Sequence, residues 1–174
     1  MTDRLAAAVR TIPDFPQPGI AFKDLTPILA DVALFAEAIE RLASPWRGAS
    51  VTHVVGMDAR GFWFGPSLAA ALGAGFVPAR KPGKLPAETV RASYTLEYGE
   101  DTLELHADAF GPDARVLVHD DVIATGGTAG AACKLVRQLG ASLVGASFVL
   151  ELAFLDGRAQ LPDGLAVEAL LRIA

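Results

Sequence analysis

The densest chemistry in the chain lies in Val116-Leu117-Val118-His119-Asp120-Asp121-Val122-Ile123-Ala124-Thr125-Gly126-Gly127-Thr128. An apolar stretch delivers two adjacent carboxylates to its end, and a small, glycine-rich turn follows and opens a helix. Consecutive backbone N–H groups in such a turn form an anion nest, to which the helix N-terminus adds its dipole. Thr125 and Thr128 supply hydroxyl donors, while Gly126 and Gly127 permit close approach and positive φ. A phosphate monoester fits this cradle. The carboxylates Asp120 and Asp121 cannot favour phosphate, so they face something else, and ribose hydroxyls are natural donors to them. The pattern therefore points to a binder of a ribose 5-phosphate. The Walker A spacing and the GxGxxG dinucleotide fingerprint are both absent. The competing reading is an ordinary strand-to-helix turn with an Asp-Asp cap.

Such a site needs a scaffold that holds several strand ends together. Residues 2–10 have Leu5, Ala6 and Val9 on one helical face. Residues 13–19 carry three prolines and a glycine and are expected as an ordered loop, because Phe15, Ile20 and Phe22 need somewhere to pack. A helix is expected near 31–43, with Val32, Phe35, Ala36, Ile39 and Leu42 at helical spacing. Beyond it, strands are expected at 51–57, 75–79, 115–118, 142–152 and 167–173, with helices at 62–72 and 128–139 and a short helical turn after Leu152. Residues 80–92 are expected as a long basic loop. Two strands follow, 93–98 and 102–106, joined through Gly99. Strands alternating with helices imply an α/β fold with a central, largely parallel sheet flanked by helices, in a single domain spanning 1–174. In such sheets ligands bind outside the carboxyl ends of the strands, here after Met57, Ala79 and Val118.

Composition excludes several classes. Of the 174 residues, 52% are hydrophobic and 20% charged, which suits a packed domain rather than a disordered chain. The net charge of −5 is a poor match to nucleic acid, which demands a basic footprint. One cysteine, Cys133, excludes an internal disulfide and a CxxC zinc site. The chain has no Asn and hence no glycosylation sequon. No apolar run approaches the roughly 20 residues of a spanning helix, and Asp3 interrupts any signal-peptide pattern. A cytoplasmic protein without membrane partners is expected.

The segment around the acid pair closely resembles the signature of the type I phosphoribosyltransferases, which bind 5-phosphoribosyl 1-pyrophosphate. Further segments resemble the adenine-specific branch of that family. Pro16-Gln17-Pro18-Gly19-Ile20-Ala21-Phe22-Lys23-Asp24 is similar to its base-site segment. Gly56-Met57-Asp58-Ala59-Arg60-Gly61-Phe62-Trp63-Phe64-Gly65-Pro66 is similar to its pyrophosphate loop. Arg80-Lys81-Pro82-Gly83-Lys84-Leu85-Pro86 with Ala92-Ser93-Tyr94-Thr95-Leu96-Glu97-Tyr98-Gly99 is similar to its flexible catalytic loop. The resemblance runs from about residue 10 to 155. It implies a small hood, formed by residues 1–30 and the flexible loop, over the sheet.

The resemblance implies a role for each residue. Asp58, Ala59 and Arg60 would wrap the pyrophosphate, with a cis Asp58–Ala59 peptide. Arg60 would meet its oxygens in fork geometry. Arg80, Lys81 and Lys84 would bring positive charge, the two lysines from a closing lid that excludes water. Asp120 and Asp121 would hold the ribose hydroxyls, and Ala124, Thr125, Gly126, Gly127 and Thr128 the 5′-phosphate. Ala21, Phe22 and Lys23 would face adenine from one side and Val122 from the other. Glu104 would handle the purine proton; Glu97 is its rival and is read as structural. Glu104, Arg60 and Lys81 are the expected catalytic residues. His53, His106 and His119 show no ligand spacing and are read as structural. His119 departs from the family pattern, where an aliphatic residue is usual. Cys133 is read as buried and inert.

The implied reaction is adenine plus phosphoribosyl pyrophosphate giving AMP plus pyrophosphate, with inversion at the anomeric carbon. Magnesium would be carried by the substrate's oxygens and water, with no direct protein ligand. A homodimer is implied, and Phe62-Trp63-Phe64 suits either a subunit contact or the core. Alternatives are transfer to another base, or a non-catalytic sensor of phosphoribosyl pyrophosphate. A sensor of this kind usually adds a nucleic-acid-binding domain, for which the chain has no spare length.

Overall fold

The computed structural model describes residues 3–95 and 100–174. The chain opens with α1 (Arg4–Ala8), β1 (Arg10–Ile12), β2 (Phe22–Asp24), α2 (Thr26–Ala30) and α3 (Val32–Ala43). The central region comprises β3 (His53–Met57), α4 (Gly61–Leu72), β4 (Gly75–Ala79) and the hairpin β5 (Thr89–Thr95) and β6 (Glu100–His106). It closes with β7 (Arg115–Ile123), α5 (Gly127–Gln138), β8 (Ser142–Leu152) and β9 (Val167–Ile173). Short 3₁₀ turns lie at Ala153–Leu155 and Gly157–Gln160.

The main sheet has five parallel strands in the order β4-β3-β7-β8-β9. Its apolar alternation feeds two cores. Val54, Leu117 and Val149 face α3 and α4, where Leu42, Phe64 and Leu68 are buried. Val55, Val116, Val118 and Phe148 face α5, where Ala132, Leu135 and Val136 are buried. This is the period-2 pattern of a sheet covered on both sides. Asp31 caps α3 by accepting from the Ala33 and Leu34 N–H groups at 2.8 and 3.0 Å. From β3 the chain first turns outward to β4 and later returns to β7 on its other side. The β3–β7 boundary is therefore the topological switch point, where a crevice opens beyond the strand ends.

Several expectations need correcting. The first helix is only Arg4–Ala8, because Arg10–Ile12 pairs antiparallel with Phe22–Asp24. Thr26–Ala30 is an unforeseen helix with Pro27 in its first turn, where a missing N–H is harmless. The long loop ends earlier than residue 92, since β5 begins at Thr89 and pairs with β6. The strand expected at 115–118 runs on to Ile123, so the acid pair sits inside β7 rather than beyond it. Neighbouring β8 runs far enough to pair Val122 and Ile123 and hold the extension in place. The expected strand end at Tyr98 and the Gly99 link lie outside the described residues. Phe15 and Ile20 remain about half exposed; Phe15 meets Phe22 edge-on at 5.1 Å.

Candidate active site

Two turns meet at the switch point. The first follows β3. The Asp58 N–H donates to the Ala79 carbonyl at 2.9 Å, the Asp58–Ala59 peptide is cis, and α4 starts at Gly61. A Cβ at Gly61 would lie 3.0 Å from the His119 carbonyl oxygen and 3.2 Å from Asp120 Oδ1. Glycine thus lets the first turn press against the acid pair. Arg60 Nε lies 3.1 Å from Asp121 Oδ2, and its guanidinium stands 5.5 Å from the Phe22 ring centroid. Arg80 Nε donates to Asp58 Oδ2 at 3.0 Å.

The second turn follows β7. Gly126 adopts φ +82° and precedes α5, as the nest at Ala124–Thr128 requires. Arg60, Asp120, Val122 and residues 123–129 line a cavity of about 160 Å³. The acid pair is electrostatically loaded. Burial, then the neighbouring Asp121 charge, push the Asp120 carboxyl well above the usual carboxylate range. Burial also raises Asp121, opposed by the adjacent Arg60 guanidinium. Asp120 Oδ1 accepts from the Asp121 N–H at 2.9 Å. Asp120 lines the cavity, and Asp121 stands behind it, buried against Arg60.

A larger cavity of about 590 Å³ adjoins the first and shares Ala124 and Thr125 with it. Its wall is mostly apolar, with Gly19, Ile20 and Ala21 on the N-terminal side and Leu152, Phe154, Leu155 and Ile173 on the other. This wall suits a flat heteroaromatic ring. Ile20 and Phe154 are both exposed along this wall.

The structure gathers Arg60, Asp120, Ala124, Thr125, Gly126, Gly127 and Thr128 around one cavity, with Asp121 attached through Arg60; Val122, expected beside adenine, lines this cavity and not the apolar one. Ala21 and Lys23 line the other, and the Lys23 ammonium also reaches Thr11 Oγ1 at 2.9 Å. Phe22 does not line it, but packs between Phe15 and Arg60. Lys81 points to the Tyr94 hydroxyl, at 2.9 Å, and the Asp101 carboxylate. Lys84 is exposed on the loop. Glu104 is not brought to the base cavity. It is 1% exposed, accepts from the Gly83 N–H at 3.1 Å, and has Arg91 Nε 2.7 Å from its other oxygen. Its backbone also pairs with Arg80, which places it beneath the loop. Glu97 lies outside the described residues. Cys133 is 1% exposed and burial pushes its thiol up to about 11, in line with an inert side chain.

Sequence reasoning missed Leu152, Phe154, Leu155 and Ile173. The signal was available: a turn after Leu152 stands at the carboxyl end of another parallel strand, where ligands are expected.

Comparison with known proteins agrees with this geometry. Residues 23–160 match the phosphoribosyl transferase domain. An adenine phosphoribosyltransferase of Anaeromyxobacter dehalogenans is 56% identical over 161 residues, covering 92% of this chain and 94% of that protein. The crystal structure of adenine phosphoribosyltransferase from Rhodothermus marinus superposes with TM-score 0.92 at 53% identity, covering 97% of this chain and 96% of that one. The Saccharomyces cerevisiae enzyme, solved with an imino-altritol bisphosphate and adenine, gives 0.90 at 44% identity, covering 96% of both chains. With this likeness running through nearly its whole length, the chain belongs to the adenine phosphoribosyltransferases, within the phosphoribosyl transferase domain family.

Proposed function

We propose that this protein transfers the 5-phosphoribosyl group from phosphoribosyl pyrophosphate to adenine, giving AMP and pyrophosphate. The observation that carries the reading is the pair of adjoining cavities. One is polar, with a phosphate nest, Arg60 and Asp120 with Asp121 behind it; the other is apolar, and the two meet at Ala124 and Thr125. A nucleoside monophosphate has the same division into phosphoribose and base.

Ala124–Thr128 anchor the 5′-phosphate, and Asp120 and Asp121 accept from the ribose hydroxyls. Arg60, in the turn after β3, and Arg80, just past the end of β4, neutralise the pyrophosphate. As the bond from the anomeric carbon to the pyrophosphate oxygen breaks, positive charge develops on the sugar. The acid pair below it stabilises that charge. A nitrogen of adenine forms the new bond from the opposite face, and the base releases a proton. The chain contributes positioning and electrostatics, with no covalent nucleophile. Asp120 and Asp121 are the carboxylates that would hold, through water, a magnesium ion carried on the pyrophosphate, which would supply charge neutralisation of the leaving group. Glu104 anchors the lid through Gly83 in this reading, and Lys81 reaches the pyrophosphate only after leaving Asp101.

Trp63 on α4, about a third exposed beside buried Phe64, supports a homodimer contact there. The free, buried Cys133 is compatible with a reducing, cytoplasmic setting. The test is pyrophosphate release with phosphoribosyl pyrophosphate and magnesium, offering adenine, hypoxanthine, guanine and xanthine in parallel. Release with adenine is expected. Release only with an oxopurine overturns the base assignment, and silence with all four overturns the enzymatic one.

A further inference from the structure

The segment after β8 touches both halves of the site. Gly157 backs the phosphate nest: a Cβ on Gly126 would lie 2.0 Å from the Gly157 carbonyl oxygen, and a Cβ on Gly157 would lie 2.2 Å from the Ala124 carbonyl oxygen. Three residues further on, the Gln160 carbonyl oxygen would lie 2.7 Å from a Cβ on Gly130 of α5. The same segment sends Phe154 and Leu155 into the wall of the apolar cavity. It consists of two short 3₁₀ turns joined at Asp156, φ +49°, with local backbone bonds such as Asp156 N–H to the Ala153 carbonyl and Ala159 N–H to the Asp156 carbonyl, each at 3.1 Å.

One ion pair ties it down. Arg158 Nε and Nη2 donate in parallel to the two oxygens of Glu151, each at 2.8 Å, and Nη1 donates to the Val167 carbonyl at 3.2 Å. Glu151 is 5% exposed, stands near the end of β8, and pairs in register with Ile123, the last residue of β7. Arg172 approaches the same carboxylate at 3.6 Å. Fork geometry fixes direction as well as distance, which a lysine cannot reproduce.

We infer that Glu151 and Arg158 are positioning residues that hold the 153–160 segment as a shared wall, setting the phosphate nest through Gly157 and the base seat through Phe154 and Leu155. The inference rests on the proposed reaction. Neither residue touches substrate; both act through the segment.

The test compares the wild type with Arg158→Lys and Glu151→Gln in steady-state kinetics, alongside melting temperature. Arg158→Lys keeps the charge and loses the fork, and Glu151→Gln keeps the shape and loses the charge. Both KM values, for adenine and for phosphoribosyl pyrophosphate, are expected to rise together by roughly three- to tenfold, with kcat changed less. An Arg158→Met variant should lose more than Arg158→Lys. A rise in only one KM overturns the shared wall. A lower melting temperature with both KM values unchanged makes the pair merely structural and overturns the inference too. A wild-type protein that turns over no base at all defeats the underlying reaction instead, and that outcome is seen before any variant is made.

Discussion

Replacing Asp120 by Asn should make the protein more stable and much less active. Asp120 is pushed toward its protonated form by burial and by the Asp121 charge beside it. A carboxyl whose folded pKa is raised binds its proton more tightly in the native state than in the unfolded one. The wild type therefore loses stability as pH climbs from the unfolded value, near 4, through the higher folded value. Asn carries no charge to bury and keeps an oxygen for the Asp121 N–H. The gain at pH 8 is expected to be about 1–2 kcal/mol, by analogy with other relieved functional sites. That is roughly 2–8 °C in melting temperature for a chain of this size. It should shrink as pH falls toward 4 and vanish below it, where the wild-type carboxyl is protonated in both states. Turnover moves the opposite way. Losing a charge-assisted acceptor for a ribose hydroxyl costs about 1.5–3 kcal/mol, or roughly 10- to 150-fold in kcat/KM. Thermal melts from pH 4 to 8, paired with pyrophosphate release, measure both. A variant that is less stable at pH 8, or equally stabilised at pH 4 and pH 8, would refute the electrostatic argument. Full activity would refute the ribose assignment.

Three further outcomes are expected. Gly126→Ala should lower phosphoribosyl pyrophosphate affinity at least tenfold and destabilise the fold, because φ is +82° and the new methyl would overlap the Gly157 carbonyl; binding titration and a melt check this. His119→Val should stabilise the protein by about 1–3 kcal/mol, since both ring nitrogens are buried without a partner. Burial lowers the His119 pKa to about 4, so the wild type loses stability as pH falls from the unfolded value near 6.5 towards 4, and the variant should lack that slope in pH-dependent melts. Phe154→Ala should raise the adenine KM about tenfold and leave the phosphoribosyl pyrophosphate KM within twofold, because it removes a flat wall from the base cavity alone. An equal rise in both would place Phe154 elsewhere.

The residues that carry local chemistry were legible in the sequence. The acid pair, Gly126-Gly127 and Arg60 are contiguous with the strands that deliver them, and β-branched runs at 51–57 and 115–118 mark those strands. Alternation of strand and helix also announced a parallel sheet. Its five-strand order did not follow from the pattern, because pairing β3 with both β4 and β7 depends on which faces can be buried together. Extension of β7 through the acid pair was hidden for the same reason: two aspartates look like a strand end until β8 supplies hydrogen-bond partners beside them. Glu104, which the resemblance sets against the purine, lies under the loop instead, and strand alternation alone cannot say whether an acidic residue faces a ligand or a loop. The Gly83 amide and Arg91, distant along the chain until the hairpin folds, decided that. The base cavity shows the division most clearly. The chain order separates Gly19–Ala21 from Leu152–Leu155 by most of the molecule, and only the closing of the sheet brings their apolar side chains within reach of one ring.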